Sequence, residues 1–258
     1  MGREVDLVAD LGEGFGAYRM GDDEALLDIV TSANIACGFH AGDSRIMDAT
    51  VVSCAARGVS VGAHPSFPDL AGFGRRAMDL TAAEVRTDVL YQIGALQAFA
   101  AAHGTRIRHV APHGRLGNLV AVRADYAEAV ADAVASLDPS MIVLAQDGEL
   151  SAAARARGLA VAIVGIADRA YRSDGTLVPR TEPGAVLRDP AEIAERTVRM
   201  VLEGVLDSVD GTDVPVECDT VLLHGDSPDA IATARRVRAE LVRAGVTLRA
   251  LRAKQVRA

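Results

Sequence analysis

The chain has 258 residues, half of them hydrophobic, with 27 basic and 35 acidic side chains and a net charge of −8. That is enough apolar material for one large α/β domain spanning residues 1–258. The acidic balance, with no basic stripe among the first 234 residues, argues against nucleic acid as the main ligand, and no apolar run is long enough to predict a membrane span.

Cys37, Cys54 and Cys218 are odd in number, widely spaced and lack a CxxC pair. They indicate neither a disulfide framework nor a thiolate zinc site, and a reducing cytoplasm fits them. The opening MGREVDLVADLGEG carries acids inside its apolar run, so no signal peptide is expected.

Apolar and β-branched runs at 4–9, 31–36, 59–63, 107–111, 141–145, 159–164, 219–223 and 246–250 read as strands. Helices alternate with them. Asp43 and Gly58 bracket an amphipathic segment as N-cap and C-terminal glycine. Thr81-Ala82-Ala83-Glu84 is a capping box for a long helix ending at Gly104, Asp189-Pro190 and Ser227-Pro228 are further helix starts, and 125–136 and 148–157 complete the set. Strand then helix, repeated about eight times, predicts a (β/α) barrel of seven or eight parallel strands, with a doubly wound open sheet as the runner-up. The basic C-terminal stretch, Arg235, Arg236, Arg238, Arg243, Arg249, Arg252, Lys254 and Arg257, interleaves with apolar residues and reads as a solvated face. Lys254 is the only lysine.

In a parallel β/α fold the loops after the strands gather on one face, and sites are built there. His40, His64, His113 and His224 each follow a strand run and lie beside glycine or proline, while the first run delivers Asp10 and Glu13 to the same rim. His103 precedes a helix-closing glycine and reads as a C-terminal cap, His109 lies within a strand, and Cys37 has no evident base. Asp43 reads equally as a helix cap, and Asp226 as a turn residue. An Asp/Glu/His rim suits either a hydrolytic divalent-metal site or metal-free acid/base hydrolysis, and the spacing does not choose between them. Two long connections, 64–80 and 166–188, supply Arg75, Arg76, Arg169, Arg172 and Arg180, which suit a carboxylate or phosphate on a substrate.

The blocks DLGEGFGAYRMGDDEAL, VTSANIACGFHAGDSRIMDATV, GVSVGAHPSFPDLAGFGRRAM, PHGRL, ADRAYRSDGTLVPRTEPGAVLRD and HGDSPDA resemble the LamB/YcsF family along nearly the whole chain. The resemblance implies a barrel related to the glycoside hydrolase and deacetylase superfamily. It also implies the A subunit of a 5-oxoprolinase, opening 5-oxoproline to glutamate with ATP and with B and C subunits, and it leaves room for a homo-oligomer. By position it implies Asp10, Glu13 and His113 as catalytic residues and His40, Asp43, His64, Arg75, Arg169 and His224 as substrate-binding ones. The chain departs from the family pattern at Val8, Ala111, Gly117 and Val164, where asparagine, lysine, tyrosine and glutamate are expected. Those departures keep open a paralogue acting on another cyclic amide and a non-catalytic ligand-binding subunit, and the superfamily together with the histidine rim keeps open a metal-dependent deacetylase.

Overall fold

In a computed structural model, which describes residues 2–227 and 229–252, the elements follow in chain order. They are β1 (Glu4–Leu11), α1 (Asp23–Leu27), β2 (Ser32–Ala36), α2 (Ser44–Arg57), β3 (Ser60–His64), α3 (Ala82–Ala102), β4 (His109–Val110), α4 (Gly114–Val120), α5 (Ala124–Leu137), β5 (Ile142–Ala145), α6 (Glu149–Ala156), β6 (Ala160–Ile166), α7 (Pro190–Glu203), β7 (Val205–Asp207), β8 (Asp213–Pro215), β9 (Thr220–Leu223), α8 (Ala230–Arg243) and β10 (Thr247–Leu248).

The sheet order β1-β2-β3-β4-β5-β6-β9 returns to β1, every pairing parallel, so seven strands close a barrel and the open-sheet alternative falls. The eighth run, β10, pairs only with the first residues of β1 and lies outside the ring. Helices cover the outside, with α3 against α5, α5 against α6 and α7 against α8.

Closure at the β9-β1-β2 seam is pinned from within. Asp6, buried on the inward face of β1, accepts hydrogen bonds from Thr31 and Ser32 on one side and Thr220 on the other, each 2.7 Å long. Burial pushes its carboxyl up from the usual range, against the pull of those hydroxyls. Strand side chains alternate faces, so Val8 and Asp10 follow Asp6 on the inward row, and Asp10 arrives at the C-terminal mouth.

The punctuation signals act as expected. Asp43 caps α2 by accepting from the Arg45 and Ile46 amides and Gly58 closes it in the left-handed region, Thr81 and Glu84 form the capping box of α3, and Asp189 caps α7. Helix α8 begins at Ala230 after Asp229; Pro228, and with it the Ser227-Pro228 start, lies outside the described residues, as do Lys254 and Arg257. Arg235, Arg236 and Arg243 are exposed on α8 while Val237 and Leu241 are buried, although Val242 also faces solvent. His103 is the C-cap residue of α3, and its ring meets Asp48 at 2.7 Å.

Three elements have no counterpart in the sequence reading: α1, α4 and the antiparallel β7-β8 hairpin. The helices are one or two turns long, too short to show a period. The hairpin did carry a signal, Asp210-Gly211 between β-branched runs.

Candidate active site at the barrel mouth

The C-terminal ends of the parallel strands converge on one buried polar cluster. Asp10 comes from β1 and Glu13 from just beyond it; His40 follows β2, His64 ends β3, and His113 follows β4. All five are buried. Glu13 Oε1 lies 3.3 Å from His40 Nε2 and 3.6 Å from His113 Nδ1, Asp10 Oδ1 lies 3.3 Å from His64 Nε2, and His64 Nε2 lies 2.9 Å from His113 Nδ1. The His40 and His113 rings stack face to face at 3.8 Å. Ligand atoms of Glu13, His40, His64 and His113 lie within 4.8 Å of one another, a donor set of the kind that holds a metal ion.

The two carboxyls are driven apart. Burial raises Asp10, but the His64 charge and hydrogen bond, with His224 and His113 behind them, outweigh it and hold Asp10 well below the carboxylate range. Asn34 Nδ2 also donates to Asp10 Oδ1 at 2.9 Å. Glu13 goes the other way: burial first, then the charges of Asp10 and Asp226, push it well above its ordinary value. The two carboxyls are thus pushed in opposite directions, the pattern that separates base from acid. Burial first, then the histidines and Arg75 around them, pushes the His40 and His113 imidazoles well below their ordinary value, with Asp10 and the Phe73 carbonyl pulling His113 back up.

His224, at the end of β9, stands apart from the stacked rings. Its Nδ1 donates to Asp168, 2.7 Å from Oδ1 and 3.0 Å from Oδ2, and its backbone amide also reaches Oδ2. Burial lowers the imidazole, but the Asp168 charge and hydrogen bond dominate and its pKa rises; Asp10 adds to the effect.

The connection between β3 and α3 covers the cluster. Its Phe73, the one non-glycine residue at positive φ among the described residues (φ 54), accepts a hydrogen bond from His113 Nε2 through its carbonyl at 2.9 Å and sets its ring edge-on to His40 and His113. The next residue has to be glycine: at Gly74 (φ 63) a Cβ would come within 2.1 Å of Ser66 Oγ and 2.9 Å of His113 Cδ2. Arg75 lies over the Phe73 ring and bonds Asp226 at 2.5 Å, tying this connection to the one after β9.

Two of the residues expected to bind substrate serve the backbone instead. Asp43 spends one oxygen on the α2 cap and the other on the Gly16 amide, 2.7 Å away. Arg169 is buried with its guanidinium on the carbonyls of Ala185 and Val178, holding the 167–189 connection folded on itself. Cys37 is no nucleophile: its thiol donates to the Ile35 carbonyl and burial pushes it up to about 12. His109 points inward below the mouth, where its Nε2 meets Asn34 Oδ1 at 2.9 Å, and burial pushes it down to about 3.

Sequence reasoning missed Asp168, Asn34 and Phe73. Asp168 follows β6, the same strand-end position that singled out the histidines, so its signal was present. Asp226, read as a turn residue, is the Arg75 partner. None of the four departures is among the residues of the cluster. Val8 is fully buried between Asp6 and Asp10 on the inward row. Ala111 offers its carbonyl to His64 Nδ1, and Val164 pairs with Thr220. At Gly117 a Cβ would meet the Pro112 carbonyl oxygen at 2.5 Å.

The LamB/YcsF family model matches residues 5–256. A Methylococcus capsulatus protein that carries the name of the 5-oxoprolinase A subunit is 53% identical over 252 residues, covering 97% of each chain. A Mycobacterium avium protein of the same name is 54% identical over 248 residues, covering 95% of this chain and 98% of its own. Among solved structures, the lactam utilization protein from Thermus thermophilus superposes with a TM-score of 0.91 at 46% identity, over 96% of this chain and 100% of that one. This chain belongs to the LamB/YcsF family.

Proposed function

We propose that the chain is the A subunit of an ATP-dependent 5-oxoprolinase, a cyclic amide hydrolase that opens the lactam 5-oxoproline to glutamate together with B and C subunits. The observation that carries this reading is near full-length identity of about half to relatives bearing that name. The mouth offers chemistry suited to it.

An unstrained lactam is a poor electrophile, because amide resonance stabilises it and its ring recloses readily. Phosphoryl transfer from ATP to the amide oxygen makes the carbon attackable and supplies the driving force; once water has added and the C–N bond has opened, the phosphoryl group leaves as inorganic phosphate. Asp10, ionised and buried, is suited to take a proton from the attacking water. His224, raised by Asp168, is suited to give one to the departing ring nitrogen. Of the side chains first expected to bind substrate, Arg75 lies at the rim beside Asp226, while His40, His64 and His113 are buried together at the mouth; Asp43 and Arg169 act on the backbone and are not assigned to substrate. ATP belongs to this reading through the assembled complex, and a divalent cation belongs to it through the Glu13/His40/His64/His113 cluster. Three buried free thiols suit a reducing cytoplasm.

The test is reconstitution. Purified chain mixed with B and C subunits, 5-oxoproline, ATP and Mg²⁺ is expected to release glutamate and ADP together, and Asp10→Asn to abolish the glutamate. No turnover above the B and C background, with this chain folded, overturns the reading.

A further inference from the structure

Hydrogen-bond accounting at the mouth leaves two lone pairs facing each other. His64 Nδ1 lies 2.5 Å from the Ala111 carbonyl oxygen, so that nitrogen carries the proton. His113 Nε2 lies 2.9 Å from the Phe73 carbonyl oxygen, so it carries the proton of that ring. A carbonyl can only accept. In the neutral rings the nitrogens left over, His64 Nε2 and His113 Nδ1, are both acceptors, yet they stand 2.9 Å apart with Asp10 Oδ1 at 3.3 Å from the first and Glu13 Oε1 at 3.6 Å from the second. Lone pairs converging from four sides need a positive charge between them, either an extra proton or a metal ion that takes its place.

We infer that this mouth is a binding site for one first-row divalent cation of the zinc class, held by His64 Nε2, His113 Nδ1, His40 Nε2 and Glu13 Oε1. Metal-ligating imidazoles as a rule donate their second N–H to a carbonyl or carboxylate, which fixes the tautomer and aims the ring. His64 and His113 both do so, and to backbone carbonyls that cannot swing away. Three imidazoles and one carboxylate select zinc, cobalt or manganese over the harder magnesium and calcium, which prefer all-oxygen sets. Two nitrogens 2.9 Å apart can both reach a shared ion at about 2.0–2.1 Å, and parting by about 0.4 Å brings them to the tetrahedral spacing of zinc ligands. Asp10 Oδ1 already accepts from Asn34 and stays outside the ligand set, free to orient or deprotonate a water. The inference deepens the hydrolytic reading of the mouth and rests on it for the role of the ion. The binding itself is a property of this chain alone.

The experiment uses tag-free full-length chain, stripped with chelator and dialysed against Zn²⁺ or Co²⁺. One equivalent of metal by elemental analysis, with cobalt d–d absorption bands, is expected. Glu13→Gln, which preserves shape, and His113→Ala, checked for folding by circular dichroism, should each weaken binding at least tenfold, whereas His103→Ala, on the exposed end of α3, should not change it. Folded wild type that takes up no metal overturns the proposal and leaves a proton as the occupant. So does uptake that Glu13→Gln and His113→Ala leave unchanged. Uptake without 5-oxoproline turnover in the reconstituted complex upholds the site and overturns the substrate reading; turnover by a complex shown to hold no metal does the reverse.

Discussion

Asp168 grips His224 with both carboxylate oxygens, across the gap between the ends of β6 and β9. The grip fixes the proton on Nδ1, so the opposite ring nitrogen is the one available to a ligand in the mouth. Asp168→Asn keeps the shape but removes the charge that raises the imidazole. In the reconstituted complex we expect kcat to fall about 100-fold, and the His224 ring resonance to titrate at lower pH in an NMR series. An unchanged titration together with unchanged kcat would show that the pair serves only the fold.

The same pair predicts a pH window for stability. His224 is raised above its unfolded value of about 6.5, so its contribution is full below that value and fades as pH rises through the folded pKa. Asp168, buried but held down first by the His224 charge, is lowered from 3.8. Its share is full above that value and is lost as pH falls through the depressed one. His224→Gln should therefore cost most between these limits, about 3 kcal/mol near pH 5, and much less near pH 9. Urea midpoints of both proteins across that range read the difference; a gap that widens toward alkaline pH contradicts it.

Glycine substitutions separate backbone strain from crowding at the covering loop. Gly58 (φ 68) closes α2 with open space around it, so Gly58→Ala should cost only the left-handed penalty, about 1–2 kcal/mol. Gly74→Ala adds overlap with Ser66 and the His113 ring to the same penalty, so its loss should exceed that of Gly58→Ala by at least about 1 kcal/mol. It should also displace His113. Thermal melts of the two variants give the first quantity, and loss of turnover confined to Gly74→Ala gives the second.

The barrel and the rim were legible in the sequence because each rests on local chemistry. Strand runs, the Asp43, Thr81 and Asp189 caps, and histidines beside glycine all announce themselves within a few residues. Roles that depend on which partner arrives from elsewhere were not legible. Asp43 and Arg169 look like ligand-facing residues in their motifs, yet the structure satisfies them with the Gly16 amide and with the Ala185 and Val178 carbonyls. Strand count was ambiguous for a related reason: the run at 246–250 has the composition of a barrel strand, but only its register on Glu4 and Val5 puts it outside the ring. Phe73 was invisible because positive φ at a phenylalanine has no sequence signature.

Arg169 and Arg180, eleven residues apart in one connection, should give opposite phenotypes. Arg169→Ala strips two buried carbonyls of their donor, at about 2–3 kcal/mol, so it should lower the melting temperature while KM in the surviving folded fraction stays near wild type. Arg180 is half-buried and makes no hydrogen bond among the described residues, and burial followed by the Arg75 charge lowers its pKa. Asp226, Asp168 and Asp10 pull that value back up, which sets the guanidinium beside the mouth. A cation held there without a dedicated partner is suited to the carboxylate of an incoming lactam acid. Arg180→Ala should leave the melting temperature within about 1 °C, since no hydrogen bond is lost and a desolvated cation is removed, and raise KM for 5-oxoproline about tenfold or more, the worth of one charge-assisted hydrogen bond. Steady-state kinetics with 5-oxoproline and with its uncharged amide separate the cases: loss of discrimination between the two in Arg180→Ala supports the assignment, and an unchanged KM ratio removes it.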